Sequence, residues 1–224
     1  MSPTDTSPSS NGRGSDTWWL SWTHLSVDRR TPSYCRVTFD HPPINTITAR
    51  TVAELAEVVG LIEHDPDLNV VVFDSANPDC YLGDYDTEHD PGWTAALGVG
   101  PTAMHAWLDL LVRLSRAPVV SIASIRGRVR GAGSEFVLAC DLRFASRGRA
   151  PLGQFDGPSA EQCGHVNRVI ADDRLDDEVE SIASTLARFD HDEIARTKSC
   201  VDQVTLPADS GFPPALADLF GEPR

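Results

Sequence analysis

Hydrophobic and polar positions along the chain fall into spacings that name successive elements. Aromatic and β-branched residues crowd Trp18 to Phe39, as WWLSWTHLSV and then YCRVTF, and predict two strands joined as a hairpin. Asp40-His41-Pro42-Pro43 breaks them. Thr48 then stands as a cap before Val52, Leu55, Val58, Val59 and Ile62, which recur at helical spacing until Asp65-Pro66. Val70 to Phe73 reads VVVF with no alternation, the pattern of a strand covered on both faces. A loop rich in Asp, Pro and Gly runs to Trp93, and a helix is predicted over Pro101 to Leu114, with Pro101 at its first position.

Pro118 opens a second apolar strand, VVSIASI. A glycine-rich turn, a short buried helix and a strand from Asp141 to Ala145 follow it. This β-α-β-α-β order predicts an α/β fold with crossover helices. From Asp173 the pattern turns helical, with Leu175, Val179, Ile182, Ala183 and Leu186 on one stripe and Ile194 to Val201 on another, before a Pro-rich tail. These readings divide the chain into a flexible lead-in (1–17), an α/β core (18–172) and a C-terminal helical region (173–224).

Charge narrows the functional classes. The 224 residues hold 19 Lys and Arg against 33 Asp and Glu, a net charge of −14. That balance opposes a phosphate backbone or an anionic membrane surface, so neither nucleic acid nor membrane is an expected partner. No apolar run approaches the ~20 residues of a membrane helix. The N-terminal MSPTDTSPSSNGRGSDT lacks the apolar centre of a secretory signal, and a cytoplasmic location is the default expectation. Five scattered cysteines include no CxxC and no zinc-ligand spacing with histidine, so reduced thiols, most of them packed as small apolar residues, are expected and no metal.

Chemistry concentrates between Val119 and Asp156. An apolar strand enters a glycine-rich turn that opens a helix at Gly131-Ala132-Gly133-Ser134-Glu135. Small residues let a ligand approach the backbone, and a helix start offers unpaired N–H groups to negative charge. Glu135 in that first turn fits either of two roles: an acid/base beside the turn, or an acid favoured by the helix dipole. The turn is no dinucleotide fingerprint, since Phe136 stands where the third glycine belongs. Gly98 to Ala103 matches GxGxxA but lacks a preceding strand. The acidic run Asp84 to Asp90 fails the calcium-loop template at His89 and Ala95 and reads as a solvated loop. Ser134 lies outside any GxSxG elbow. Asp141 reads as a turn or capping acid.

Four segments resemble the crotonase superfamily, the enoyl-CoA hydratase/isomerase group. They are INTITARTVAELAEVVGLIEHDPDLNVVVFDS, DCYLGDYDT, APVVSIASIRGRVRGAGSEFVLACDLRFAS and GHVNRVIADDRLDDEVESIASTLARF, spread over roughly Tyr34 to Leu206, with the third the most specific. The resemblance implies a spiral of ββα units with C-terminal helices, an acyl-CoA thioester as substrate, no separate cofactor and a homo-oligomer, either a trimer or a dimer of trimers. It also implies stabilisation of a thioester enolate by two backbone N–H groups, here those of Tyr85 and Ala132. Glu135 matches the family's principal acid/base, and Asp156 is the nearest match to its second acid. The loops holding Ile44, Asn45, Thr46 and Ile47, and Tyr81, Leu82 and Gly83, with Gly131, match positions that hold CoA.

Three departures accompany the match. Ala132 stands where glycine is usual, and its methyl is expected to narrow the turn. Asp156 is one methylene shorter than glutamate. A block of several dozen residues that normally follows the second acid and lines the acyl pocket is absent, leaving Gly157-Pro158-Ser159 and then AEQCGHVNRV. Two function classes follow: a hydratase/isomerase-type enzyme, or a crotonase-fold protein that is impaired or turned to another substrate or partner. Asp84, Asp86 and Glu88 beside the expected CoA path motivate the second, because CoA is polyanionic.

Overall fold

The structure, a computed structural model, describes residues 22–86 and 97–206. The lead-in, the start of the first predicted strand, the end of the acidic run and the Pro-rich tail lie outside the described residues. The hairpin is β1 (Leu25–Thr31) and β2 (Tyr34–Phe39), antiparallel, with Val27 opposite Val37. Next come α1 (Ala49–His64), β3 (Val70–Ser75), β4 (Cys80–Leu82) and α2 (Ala106–Arg116). They are followed by β5 (Val120–Ile125), β6 (Arg128–Val129), α3 (Ala132–Ala139) and β7 (Leu142–Ser146). The chain then forms α4 (Gly157–Gln162), β8 (Arg168–Ile170), a 3₁₀ turn (Asp172–Arg174), α5 (Leu175–Leu186) and α6 (His191–Thr205).

Six strands form one sheet in the order β1-β2-β3-β5-β7-β8, parallel from β2 onward. Successive residues of these strands face opposite cores. Val71 and Phe73 of β3 join Cys35, Val37, Ala123 and Ile125 beneath α1, α2 and α3. Val70 and Val72 turn the other way, with Tyr34, Ile122 and Phe144, and are covered by Leu175, Val179 and Ala183 of α5. The unalternating VVVF run is therefore buried on both faces, as its pattern requires.

Local chemistry explains where the sequence reading holds and where it shifts. Thr48 caps α1 through a reciprocal pair with Thr51, side chain to backbone N–H in each direction at 3.2 Å. The helix predicted from Pro101 starts instead at Ala106, because Ala103 takes φ +62° and the Asp109 carboxylate accepts from the Thr102 N–H and hydroxyl at 2.7 and 2.8 Å. That bond folds 97–105 back on α2 as a tight loop. Asp141 precedes β7 rather than beginning it, its Oδ2 taken by the N–H and hydroxyl of Ser121 at 2.8 Å each. Lys198 of α6 reaches the same oxygen at 2.8 Å and is almost fully buried, so it ties the last helix to the sheet. Cys35 and Cys140 pack in the core, but Cys163 and Cys200 are exposed, so fewer thiols are buried than expected. No helix among the described residues is long and apolar enough to cross a membrane.

Two short strands outside the main sheet position the chemistry. β4 and β6 pair in parallel, where the sequence pattern predicts a loop and a turn. Their pairing carries the chain after β4 against the start of α3.

Candidate active site

Gly133 is where the two chain segments meet. Its N–H donates to the Gly83 carbonyl at 3.2 Å, and a Cβ there would sit 2.5 Å from the Leu82 oxygen. Only glycine permits that approach. Just before it, Gly131 turns the chain at φ +48°, a left-handed conformation that glycine adopts without strain. Ala132 follows, and its methyl joins the hydrophobic core.

The N–H groups of Tyr85 and Ala132 point at one atom. Both donate to Oδ1 of Asp84, at 2.8 and 3.3 Å. Two backbone donors 47 positions apart in sequence thus share a single acceptor oxygen at the N-terminus of α3. Such convergence is the geometry of a cradle for a charged oxygen. In this structure the cradle holds the protein's own carboxylate.

Glu135 stands in the first turn of α3 and is exposed. Its Oε2 accepts the indole N–H of Trp107 at 2.8 Å. Trp107, on α2, is fully buried, and the ring of Tyr85 meets it edge-on at 5.7 Å. Burial raises the Tyr85 phenol well above its ordinary pKa, and the nearby Glu135 and Asp84 charges push it further the same way. Tyr85, Trp107, Glu135 and Asp84 therefore form one cluster.

Asp156 stands at the N-cap of α4. Its side chain accepts the Ser159 N–H at 2.9 Å and caps α4, with Pro158 in the first turn. It is exposed, and its bonds with Ser159 hold its pKa below the usual aspartate value. No hydrogen bond among the described residues joins it to Glu135. Between Asp156 and β8 the chain forms only α4, so the shortened stretch passes directly into the sheet.

The other sequence-named positions build the scaffold of the cradle. Asn45 is buried; its amide nitrogen donates to Ser75 Oγ and to the Cys80 and Tyr81 carbonyls at 2.8, 3.2 and 3.0 Å. Ile47 brackets the cradle segment, its N–H on the Asp84 carbonyl and its carbonyl on the Asp86 N–H, both at 3.0 Å. Tyr81 and Leu82 are buried, and Gly83 donates to the Asn45 carbonyl at 3.0 Å. Ile44 alone of this loop presents an exposed apolar side chain. Exposed Arg128 and Arg130 lie close enough to Cys80 for their charges to act on its thiol, although burial still raises it overall.

Sequence reasoning missed Trp107 and the placement of Asp84. Trp107 lies on the apolar stripe of α2 with Leu110, Leu111 and Leu114, where core packing accounts for it. The available signal was that a buried indole N–H requires an acceptor. A groove of about 800 Å³ also opens between α6 and the C-terminal end of α3, lined by Leu138, Leu142, Phe189, Ile194 and Val201. It lies at the opposite end of α3 from the cradle.

Fold and site together define an α/β protein in which a strand-end turn and a helix start pair their N–H groups beside a carboxylic acid. Comparison with known proteins gives the class its name. The model of the enoyl-CoA hydratase/isomerase family matches residues 29–154, and the chain belongs to that family. It is 34% identical to the structure of a candidate enoyl-CoA hydratase from Streptomyces avermitilis, with a TM-score of 0.81 over 90% of this chain and 84% of that one. The fold is shared with DspI of Pseudomonas aeruginosa (20% identity, TM-score 0.74, 92% of this chain and 97% of that one). It is also shared with an enoyl-CoA hydratase of Mycobacterium smegmatis (21% identity, TM-score 0.73, 88% and 89%).

Proposed function

We propose that this protein is an enoyl-CoA hydratase/isomerase-type enzyme that binds an acyl-CoA thioester and stabilises its enolate. The observation that carries this reading is the convergence of the Tyr85 and Ala132 N–H groups on one oxygen position beside Glu135. The thioester oxygen would take that position, and one such donor is worth roughly 10²–10³ in rate. Glu135 would move the proton at the neighbouring carbon, with Trp107 holding its carboxylate. CoA would run past the exposed Ile44 toward Arg128 and Arg130, whose cations offset the local acidic charge. CoA enters as part of the substrate, with no further cofactor required, and a homo-oligomer such as a trimer is the proposed assembly.

Asp156 is left out of the chemistry, since capping α4 accounts for its position. The test is loss of the enoyl absorbance of crotonyl-CoA, comparing the parent with Glu135→Gln. Losing the acid/base should slow turnover about 10²–10⁴-fold. Equal rates would remove Glu135 from the mechanism.

A second reading, a crotonase-fold protein that binds without turnover, is favoured by the Asp84 carboxylate in the cradle. Calorimetry with CoA separates it from a protein turned to other ligands. A parent that binds CoA but never consumes crotonyl-CoA supports it.

A further inference from the structure

We propose that Asp84 is a built-in occupant of the oxyanion site, an autoinhibitory carboxylate that a thioester carbonyl must displace; this rests on the acyl-CoA reading above. Its Oδ1 takes both N–H groups that would polarise a substrate, at 2.8 and 3.3 Å. The rest of the carboxylate lies against the turn. A Cβ on Gly131 would fall 2.2 Å from both Asp84 Cγ and Oδ2, so the turn glycine leaves room for this side chain as well as for the turn itself.

The competition favours the carboxylate in the resting protein. A charged acceptor binds N–H groups about twice as strongly as a neutral carbonyl. A ground-state thioester offers only the neutral oxygen. The enolate formed during reaction is charged and competes on equal terms. Asp84 therefore weakens ground-state binding while leaving the donors in place for the reacting state.

Release needs only a side-chain rotation. The Asp84 backbone is fixed, its carbonyl accepting the Ile47 N–H at 3.0 Å, while the residue as a whole is exposed. Rotation about its two side-chain bonds carries the carboxylate into water without moving the backbone.

The test uses the full chain carrying Glu135→Gln, so that binding is read without turnover. Crotonyl-CoA affinity is measured by calorimetry with and without Asp84→Ala, and with the isosteric Asp84→Asn. Asp84→Ala should bind about tenfold tighter or better, and Asp84→Asn, whose amide oxygen is a weaker acceptor, should fall between. Equal or weaker binding in Asp84→Ala overturns the proposal and leaves the acyl-CoA reading standing. If neither protein binds, the acyl-CoA reading fails and the proposal with it. A ligand-free readout checks the contact itself: the amide proton resonances of Tyr85 and Ala132 should move upfield together in Asp84→Ala. Unmoved resonances overturn the occupancy.

Discussion

The indole N–H of Trp107 donates to Oε2 of Glu135 across 2.8 Å, joining a fully buried residue of α2 to an exposed carboxylate at the start of α3. The bond limits where the carboxylate can swing. Trp107→Phe keeps an aromatic ring in the core but removes the donor. A hydrogen bond to a charged group is worth about 1.5–3 kcal/mol, and on the proposed mechanism part of that would position Glu135 for proton transfer. The expected outcome is a fall in kcat of about tenfold, with KM changed less than about twofold, because the contact would act on the proposed acid/base and not on CoA. Steady-state kinetics on crotonyl-CoA reads the split.

Asp156 gives the opposite expectation. As the N-cap of α4, it should affect stability more than rate. Asp156→Ala should lower the midpoint of chemical denaturation, and Asp156→Asn should lower it less, since asparagine also caps. Turnover should stay within about threefold of the parent. A loss of about 10²-fold or more would return Asp156 to the chemistry as a second acid.

Arg128 and Arg130 test the CoA path. Both are exposed beside Cys80, whose thiol hydrogen-bonds the Ile44 carbonyl at 2.9 Å. Reversing both charges, Arg128→Glu with Arg130→Glu, should weaken CoA binding about tenfold at low salt. The difference should shrink at high ionic strength, because exposed charges are screened. An affinity unchanged at both ionic strengths would place the CoA phosphates elsewhere.

Much of the frame could be read from spacing, because burial imposes periods on the chain. The helical stripe of α1, the doubly buried β3 and the Leu175, Val179, Ala183 face of α5 each follow from a repeat that has one physical cause. The turn at Gly131 to Glu135 was legible for a similar reason, as small residues there mean close backbone approach. What spacing could not carry was long-range pairing. β4 and β6 are three and two residues long, too short for any period to register, yet they bring Gly83 against Gly133. Asp84 sat in a run of acids whose composition suggested solvent. Its engagement with Ala132 depends on a contact 48 residues away. The match of Asp156 to a second acid comes from resemblance alone, and spacing does not show that its side chain accepts the Ser159 N–H and caps α4.

His24 and His41 stack at 3.7 Å, with their rings 11° from parallel, where β1 meets the loop leading to Asn45. His24 Nδ1 lies 2.8 Å from the Thr51 hydroxyl, and Glu54 and Arg50 also face the pair. Burial lowers the His24 pKa below 6.5; His41 and Arg50 lower it further, and Glu54 opposes them. The folded state therefore binds this proton less readily than the unfolded chain. The neutral imidazole contributes stability above pH 6.5, and that contribution is lost as pH falls from 6.5 through the folded-state value. Glu54, whose pKa is held below 4.5 chiefly by the Thr23 and His24 N–H groups against the effect of burial, acts in a separate, more acidic window. The urea midpoint should thus drop between about pH 7 and pH 5.5, and His24→Asn should flatten part of that slope. A slope unchanged in His24→Asn would remove this pair as its source.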